Sequence, residues 1–167
     1  GASMQTVTRL CKLGLLERQE REVLRSPKQE LPPPAEPITL TDEQQTAFDG
    51  LSAQMEREKP GAALLYGVTG SGKTAVYVAL IQKALDEGRS AMLLVPEIAL
   101  TPQLLGRMTA HFGKTVAVLH SSLRVGERYD EWRRIARGEA RVVVGTRSAV
   151  FAPLQSPGLL ILDEEQE

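Results

Sequence analysis

The sequence contains a single cysteine, Cys11. This excludes a disulfide within the chain and a zinc site built on several cysteines. No apolar run approaches the roughly 20 residues that a membrane-spanning helix needs, and no secretory signal precedes the first polar residues. We therefore expect a protein of the cell interior with no membrane partner.

A net charge of −1 gives no overall case for a nucleic-acid partner, so such a case must depend on local motifs. Hydrophobic residues make up 42% of the chain and charged residues 25%, as in an ordinary globular protein. A length of 167 residues is enough for one sizeable core with a small appendage.

The most informative stretch is residues 67–74, which fit the phosphate-loop pattern of a glycine, four variable residues and then Gly-Lys-Thr. An apolar run at 62–66 predicts a buried strand before it, and 75–85 predicts a helix after it. Backbone N–H groups of such a loop and the following helix bind phosphates. The candidate ATP-binding residues are Gly67, Val68, Thr69, Gly70, Ser71, Gly72, Lys73 and Thr74. The alternative is a glycine-rich turn with a chance Lys-Thr.

Two side chains of this loop have distinct expected roles. Lys73 is a compact cation suited to the β- and γ-phosphates, so we expect it to take part in catalysis. The Thr74 hydroxyl is placed to bind Mg²⁺.

The first 38 residues divide into three pieces. Residues 1–3 have the appearance of a scar from tag removal. Residues 4–26 predict a helix that ends near Gly14 and then a charged extended segment, which is typical of the end of a winged-helix DNA-binding domain or, alternatively, of an amphipathic surface piece. Residues 27–38 are a proline-rich linker. The main domain therefore begins near residue 39.

In the main domain, short apolar strands alternate with helices. Thr41 and Gln44 predict a capping box that opens a helix to about residue 57. Strands are predicted at 62–66, 91–95, 116–120, 141–145 and 159–163. Because these strands lack polar alternation, we expect an α/β fold with a largely parallel sheet sandwiched between helix layers. Ligands of such sheets bind beyond the carboxyl ends of the strands.

An acidic cluster follows the last predicted strand. Asp163 is the expected carboxylate of a Mg²⁺ shell, and Glu164 is the expected catalytic base that orients and deprotonates water. The alternative is an acidic strand end with no such role.

Four motifs together carry a family resemblance: GVTGSGKT at 67–74, VPEIALTPQ at 95–103, GTRSAVFAP at 145–153 and LDEE at 162–165. The chain resembles the first RecA-like motor lobe of superfamily 2 DNA helicases, and most closely the bacterial replication-restart branch. The resemblance implies an ATP-dependent 3′-to-5′ helicase of the bacterial cytoplasm and nucleoid. Its implied partners are single-stranded and forked DNA, primosome proteins and single-strand-binding proteins. It also favours the winged-helix interpretation of residues 4–26.

The resemblance further implies residue roles. Gln44 or Gln45 would read the adenine, although a capping glutamine and a solvated one explain them equally well. A DNA strand would cross the sheet edge near His120 and the candidate DNA-binding residues Pro96, Thr101, Gln103, Thr146, Arg147 and Ser148. The zinc site of the family lies outside this chain.

Two features leave other interpretations open. The family usually has histidine where this chain has Gln166, which puts coupling between ATP and DNA in doubt. In the family, a further strand lies between the phosphate-loop strand and the acidic-motif strand, so we expect this lobe to be incomplete after residue 167. A DNA-binding scaffold with a vestigial motor and a phosphate-loop ATPase of another class remain alternatives.

Overall fold

The computed structural model describes residues 4–17, 32–57, 59–68 and 70–163. The strands are β1 (Ser90–Leu94), β2 (Val116–Leu119), β3 (Val142–Gly145) and β4 (Pro157–Leu162). The helices are α1 (Met4–Lys12), α2 (Asp42–Met55), α3 (Lys73–Asp86), α4 (Pro102–Phe112) and α5 (Val125–Ala136). None of these helices has the length and apolar character that a bilayer-crossing segment requires.

The four strands form one parallel sheet in the order β2-β3-β1-β4. Gly145 is in register with Leu94 on one side and Leu119 on the other, so three strands end at one level. The predicted parallel sheet is confirmed, and its carboxyl edge forms a flat rim.

Helices cover both faces of the central strands β3 and β1 and of the outer strand β2. On one face, Leu93 and Val144 pack with side chains of α3 and α4, including Ile81 and Met108. On the other face, Met92, Leu94 and Val143 pack with Ile135 of α5. Alternation along each strand thus sends successive apolar residues to opposite layers, which confirms the predicted sandwich.

The last strand differs from its neighbours. On one face of β4, Leu159 and Ile161 pack on the core. On the other, Leu160 and Leu162 are 55% and 51% exposed. The continuous apolar run predicted a strand buried on both faces, which is wrong for β4, because no described helix covers its second face.

The predicted strand at 62–66 is also absent. Residues 60–68 have no regular secondary structure, and Leu64 and Tyr66 are 85% and 87% exposed, although Leu65 packs on the core. A strand needs a neighbour for its backbone hydrogen bonds. Among the described residues, β4 pairs only with β1, so this segment has no strand beside it.

The two sheet edges differ in how their backbone groups are satisfied. At the β2 edge, the buried Glu131 carboxylate accepts from Val118 N at 3.2 Å. Arg134 donates to Glu131 and to the carbonyls of Lys114 and Val116. These two α5 side chains close that edge, whereas no strand among the described residues pairs with the second side of β4.

Helices α2 and α3 pack side by side at the amino end of the main domain. The predicted capping box is present at Thr41 and Gln44. The apolar side chains of α2 at Ala47, Phe48 and Leu51 are only half-buried, and Met55 packs against the core. Lys83 contacts Glu56 at 2.8 Å; this hydrogen bond lowers the pKa of Glu56 and raises that of Lys83.

The N-terminal pieces are described in part. Helix α1 is present, and Gly14 follows it with φ of 68°, as the predicted helix stop requires. The charged extended segment lies mostly outside the described residues, and 15–17 form no strand. In the linker, Ala35 N donates to Ala110 O at 3.0 Å and Ile38 packs on the core. Residues 35 and 38 of the linker therefore already pack on the main domain. The winged-helix assignment stays a prediction.

Candidate functional site

The phosphate loop leads directly into α3, as predicted. Gly70 and Gly72 have φ of 83° and 79°, a left-handed conformation that favours glycine. Ser71 N donates to Val68 O at 3.1 Å, which closes the turn. A Cβ on Gly67 would lie 2.7 Å from Ser71 Oγ. The glycines are therefore needed for the loop's tight path toward the helix N-terminus.

Lys73 is the first residue of α3 and folds back over the loop. Its Nζ donates to Gly67 O at 2.7 Å and lies 3.4 Å from Val68 O. The Lys73 side chain is half-buried, because its ammonium is held by these loop carbonyls.

Of the two glutamines, Gln44 is the one that contacts a described residue of the phosphate loop. Its Nε2 donates to Ser71 O at 3.2 Å, while its Oε1 accepts from Thr41 N at 3.1 Å. Gln45 is exposed and donates to Asp49 instead. Gln44 thus caps α2 and also lies beside the phosphate loop.

Asp163 follows β4 directly and lies at the carboxyl edge of the sheet. Its backbone N donates to Leu94 O at 2.9 Å. Its Oδ1 accepts from the Tyr77 hydroxyl at 2.8 Å, and Tyr77 is 6% exposed on α3. This contact joins the phosphate-loop helix to the acidic strand end.

Tyr77 is a site residue that the sequence reasoning missed. Its position in an apolar helix indicated only a core aromatic. A signal was available, since Tyr77 lies three residues after Thr74 and therefore on the same face of α3. A buried tyrosine hydroxyl usually has a hydrogen-bond partner.

The oxygen groups at this edge suit a magnesium ion. Mg²⁺ is usually held by one or two carboxylates together with substrate phosphates. The Asp163 carboxylate and the Thr74 hydroxyl could supply the protein ligands, with Thr74 about one helical turn nearer the loop than Tyr77. Among the described residues, no three His, Cys, Asp or Glu side chains cluster as a metal site of their own.

Beyond β3, Gly145 allows a close approach between neighbouring strand ends. A Cβ there would lie 2.2 Å from Leu119 O and 2.7 Å from the Ala149 Cβ. Thr146 N donates to the same Leu119 carbonyl at 3.1 Å. The glycine of the GTRS motif thus shapes the turn that follows β3.

The residues after that turn have different exposures. Thr146 is buried and begins the 3₁₀ helix Arg147–Phe151, whereas Arg147 and Ser148 are exposed. Of the three predicted phosphate-binding side chains, Arg147 and Ser148 are therefore the accessible ones.

The loop after β1 forms the 3₁₀ helix Glu97–Ala99 and then enters α4. The Thr101 hydroxyl accepts from Leu104 N at 3.3 Å, so it caps α4. Pro96 is half-buried and Gln103 is exposed.

A hydrogen bond joins the loops after β1 and β2. The Ser121 hydroxyl donates to the Glu97 carboxylate at 2.5 Å, and Arg128 donates to Ser121 O at 3.3 Å. The half-buried His120 precedes this contact. The candidate DNA-binding loops after β1 and β2, the two strands that flank β3, therefore meet at the carboxyl edge of the sheet.

Three residues with predicted roles lie outside the described residues: Thr69, Glu164 and Gln166. Their roles stay predictions.

The DEAD/DEAH box helicase family matches residues 41–167. The chain is similar to the replication restart protein PriA of Bacillus subtilis (strain 168), with 48% identity over 166 residues that cover 99% of this chain and 21% of that protein. It is 45% identical over 165 residues to PriA of Synechocystis sp. (strain ATCC 27184 / PCC 6803 / Kazusa), covering 99% of this chain and 20% of that protein. The chain spans about a fifth of the length of these relatives.

A solved structure titled "Structure of RecG bound to three-way DNA junction" has a similar fold. The TM-score is 0.63 at 24% identity, and the match covers 75% of this chain and 21% of the other. This likeness confirms the predicted RecA-like fold.

Proposed function

The chain belongs to the DEAD/DEAH box helicase family, and from that premise we propose that it is the first, ATP-binding motor lobe of a DNA helicase acting in replication restart. The observation that carries the proposal is the hydrogen bond between Tyr77 and Asp163, which brings the phosphate-loop helix and the acidic strand end together. The names of the PriA relatives supply the replication-restart context.

The proposal covers a longer protein than this chain. Since the relatives are about five times as long, the parent would carry a second motor lobe after this one and a winged-helix domain ending near residue 26. The parent's proposed partners are forked and single-stranded DNA, primosome proteins and single-strand-binding proteins, and its proposed place is the bacterial cytoplasm.

In the nucleotide site, the loop amides of 67–74 and the N-terminus of α3 would bind the phosphates of ATP. Lys73 would leave the carbonyls of Gly67 and Val68 for the β- and γ-phosphates. Thr74 and Asp163 would hold Mg²⁺, which supplies positive charge for the developing phosphate charge when it is bound. Glu164 would orient and deprotonate the attacking water. Gln44 would lie nearest the adenine of ATP.

At the DNA edge, Arg147 and Ser148 would bind phosphates, since both are exposed beyond the flat rim of the sheet. Backbone amides at the start of α4, Gln103 and Pro96 would line the same path. Such contacts position a strand and read no base, which suits an enzyme that acts on many sequences.

The test is ATP hydrolysis by the full-length protein with and without single-stranded DNA. We expect hydrolysis to rise with DNA. Lys73→Ala should lose tight Mg²⁺-nucleotide binding, and Glu164→Gln should bind nucleotide but lose about a hundred- to ten-thousand-fold in turnover. Lys114→Ala is a matched control, because its exposed side chain lies before β2, at the opposite edge of the sheet.

The outcomes separate the alternatives. ATP hydrolysis that does not change when DNA is added would indicate an ATPase of another class. DNA binding without ATP hydrolysis would indicate a scaffold with a vestigial motor. Unchanged nucleotide affinity in Lys73→Ala would contradict the phosphate-loop assignment itself.

A further inference from the structure

We infer that Tyr77 is a positioning residue for the magnesium site: its hydroxyl holds the Asp163 carboxylate in the orientation that the Mg²⁺ shell requires. This inference rests on the proposed function, since it assigns a role within the same nucleotide site. It adds to that site a residue that lies outside the phosphate loop and outside the acidic motif.

The geometry places Tyr77 between the two halves of the site. Tyr77 lies three residues after Thr74 on α3, so both side chains are on one face of the helix. The Tyr77 hydroxyl reaches Asp163 Oδ1 at 2.8 Å across 86 residues of sequence. One helix face thus carries a proposed metal ligand and the donor that contacts the other proposed ligand.

The contact acts on the side chain of Asp163 and not on its backbone. The backbone is already fixed, because Asp163 N donates to Leu94 O at 2.9 Å. A carboxylate can still rotate about its side-chain bonds. The hydroxyl holds Oδ1 and so directs Oδ2, which receives no hydrogen bond from any described residue.

The chemistry of the pair fits this role. An ionised carboxylate has several acceptor sites, so a bond from Tyr77 leaves others for a metal or its water ligands. Outer-shell donors of this kind orient metal-binding carboxylates, and their loss typically costs about ten- to a hundred-fold in metal affinity or activity. A phenylalanine at position 77 would fill the same apolar space without the donor.

The experiment uses Tyr77→Phe in the full-length protein. A fluorescent adenosine nucleotide is titrated at a series of Mg²⁺ concentrations, and Mn²⁺ binding in the presence of ADP is followed by electron paramagnetic resonance. We expect the metal concentration for half-maximal nucleotide binding to rise about ten-fold. Nucleotide affinity at saturating Mg²⁺ should stay the same.

Two further variants make the result specific. Tyr129→Phe removes a hydroxyl from a 60% exposed tyrosine on α5 and should leave the Mg²⁺ midpoint unchanged. Asp163→Asn should itself raise the midpoint, and adding Tyr77→Phe to it should cause little further change, because Tyr77 acts through the carboxylate.

Each contrary outcome has a distinct meaning. If the Mg²⁺ midpoint is unchanged in Tyr77→Phe, this inference is overturned and the proposed function still stands. The same holds if nucleotide affinity falls equally at every Mg²⁺ concentration. A wild-type protein that binds nucleotide with no dependence on Mg²⁺ would overturn the proposed function and the inference with it.

Discussion

Tyr77 and Gly145 meet groups that are distant in the sequence, whereas Lys73 contacts carbonyls of its own loop. The phosphate-loop pattern predicted the role of Lys73 but not its contact with the carbonyls of Gly67 and Val68. The identity of the Asp163 partner depends on how α3 packs against β4, and the need for glycine at 145 depends on the Leu119 carbonyl. The contacts of Tyr77 and Gly145 follow from tertiary packing, which a local pattern does not contain.

At the residue scale, Arg147→Ala in the full-length protein should weaken single-stranded DNA binding by a similar factor for all sequences. Its exposed guanidinium lies beyond the end of β3 and would contact a phosphate, which reads no base. The slope of log affinity against log salt should fall in magnitude by about 0.7 for the lost contact.

The matched control is Arg137→Ala. Arg137 follows α5 and precedes β3, so it lies at the amino edge of the sheet, opposite the proposed DNA path. An unaltered salt slope in Arg147→Ala, or an equal change in both variants, would remove Arg147 from the DNA site.

Among the elements, the helices were the most predictable. The predicted capping box marks the start of α2, and glycines with φ of 74° and 72° follow α3 and α5 at positions 88 and 138. Four of the five predicted strands form. The apolar run at 62–66 looks like the others in sequence, but strand formation also requires a neighbouring strand, and that requirement is not local.

Helix α2 has a predicted role in the nucleotide site through its capping box. Thr41→Ala should cost about 1 kcal/mol of stability, because Gln44 N loses its acceptor at 3.3 Å. The first turn of α2 should then exchange amide hydrogens faster, and nucleotide affinity should fall as Gln44 loses its fixed place beside Ser71.

Thr41→Ser provides the control, since it keeps the hydroxyl and should behave as the wild type in hydrogen exchange and nucleotide titration. If Thr41→Ala left nucleotide affinity unchanged while the helix start loosened, Gln44 would cap α2 without supporting the loop.

For the molecule as a whole, the contrast between its two sheet edges is informative. Glu131 and Arg134 satisfy the backbone at the β2 edge, as expected of a true boundary. Among the described residues, β4 has no strand on its second side, and Leu160, Leu162 and Leu64 are exposed. The family resemblance implies a further strand beside β4. We propose that this strand would pair with β4 and give residues 62–66 the partner they lack.

The 167-residue chain alone should therefore neither unwind DNA nor hydrolyse ATP at a useful rate, and it should tend to aggregate through its open edge. In the proposed full-length protein, an arginine from a second lobe would stabilise the charge on the γ-phosphate, and such an arginine is worth about a thousand- to a hundred-thousand-fold in other phosphate-transfer enzymes. The measurement is ATPase activity of the monomeric chain after size-exclusion chromatography, with and without single-stranded DNA. DNA-stimulated turnover by that monomer would show that the second lobe is dispensable.

The flat rim formed by Leu119, Gly145 and Leu94 also sets a length scale. Neighbouring strands lie about 4.8 Å apart, so the loops after β2, β3 and β1 leave the sheet within about 10 Å of one another. A stacked nucleic-acid strand advances about 3.4 Å per nucleotide. The proposed DNA path across these three loops therefore covers about three nucleotides, a number that the spacing between the strands determines.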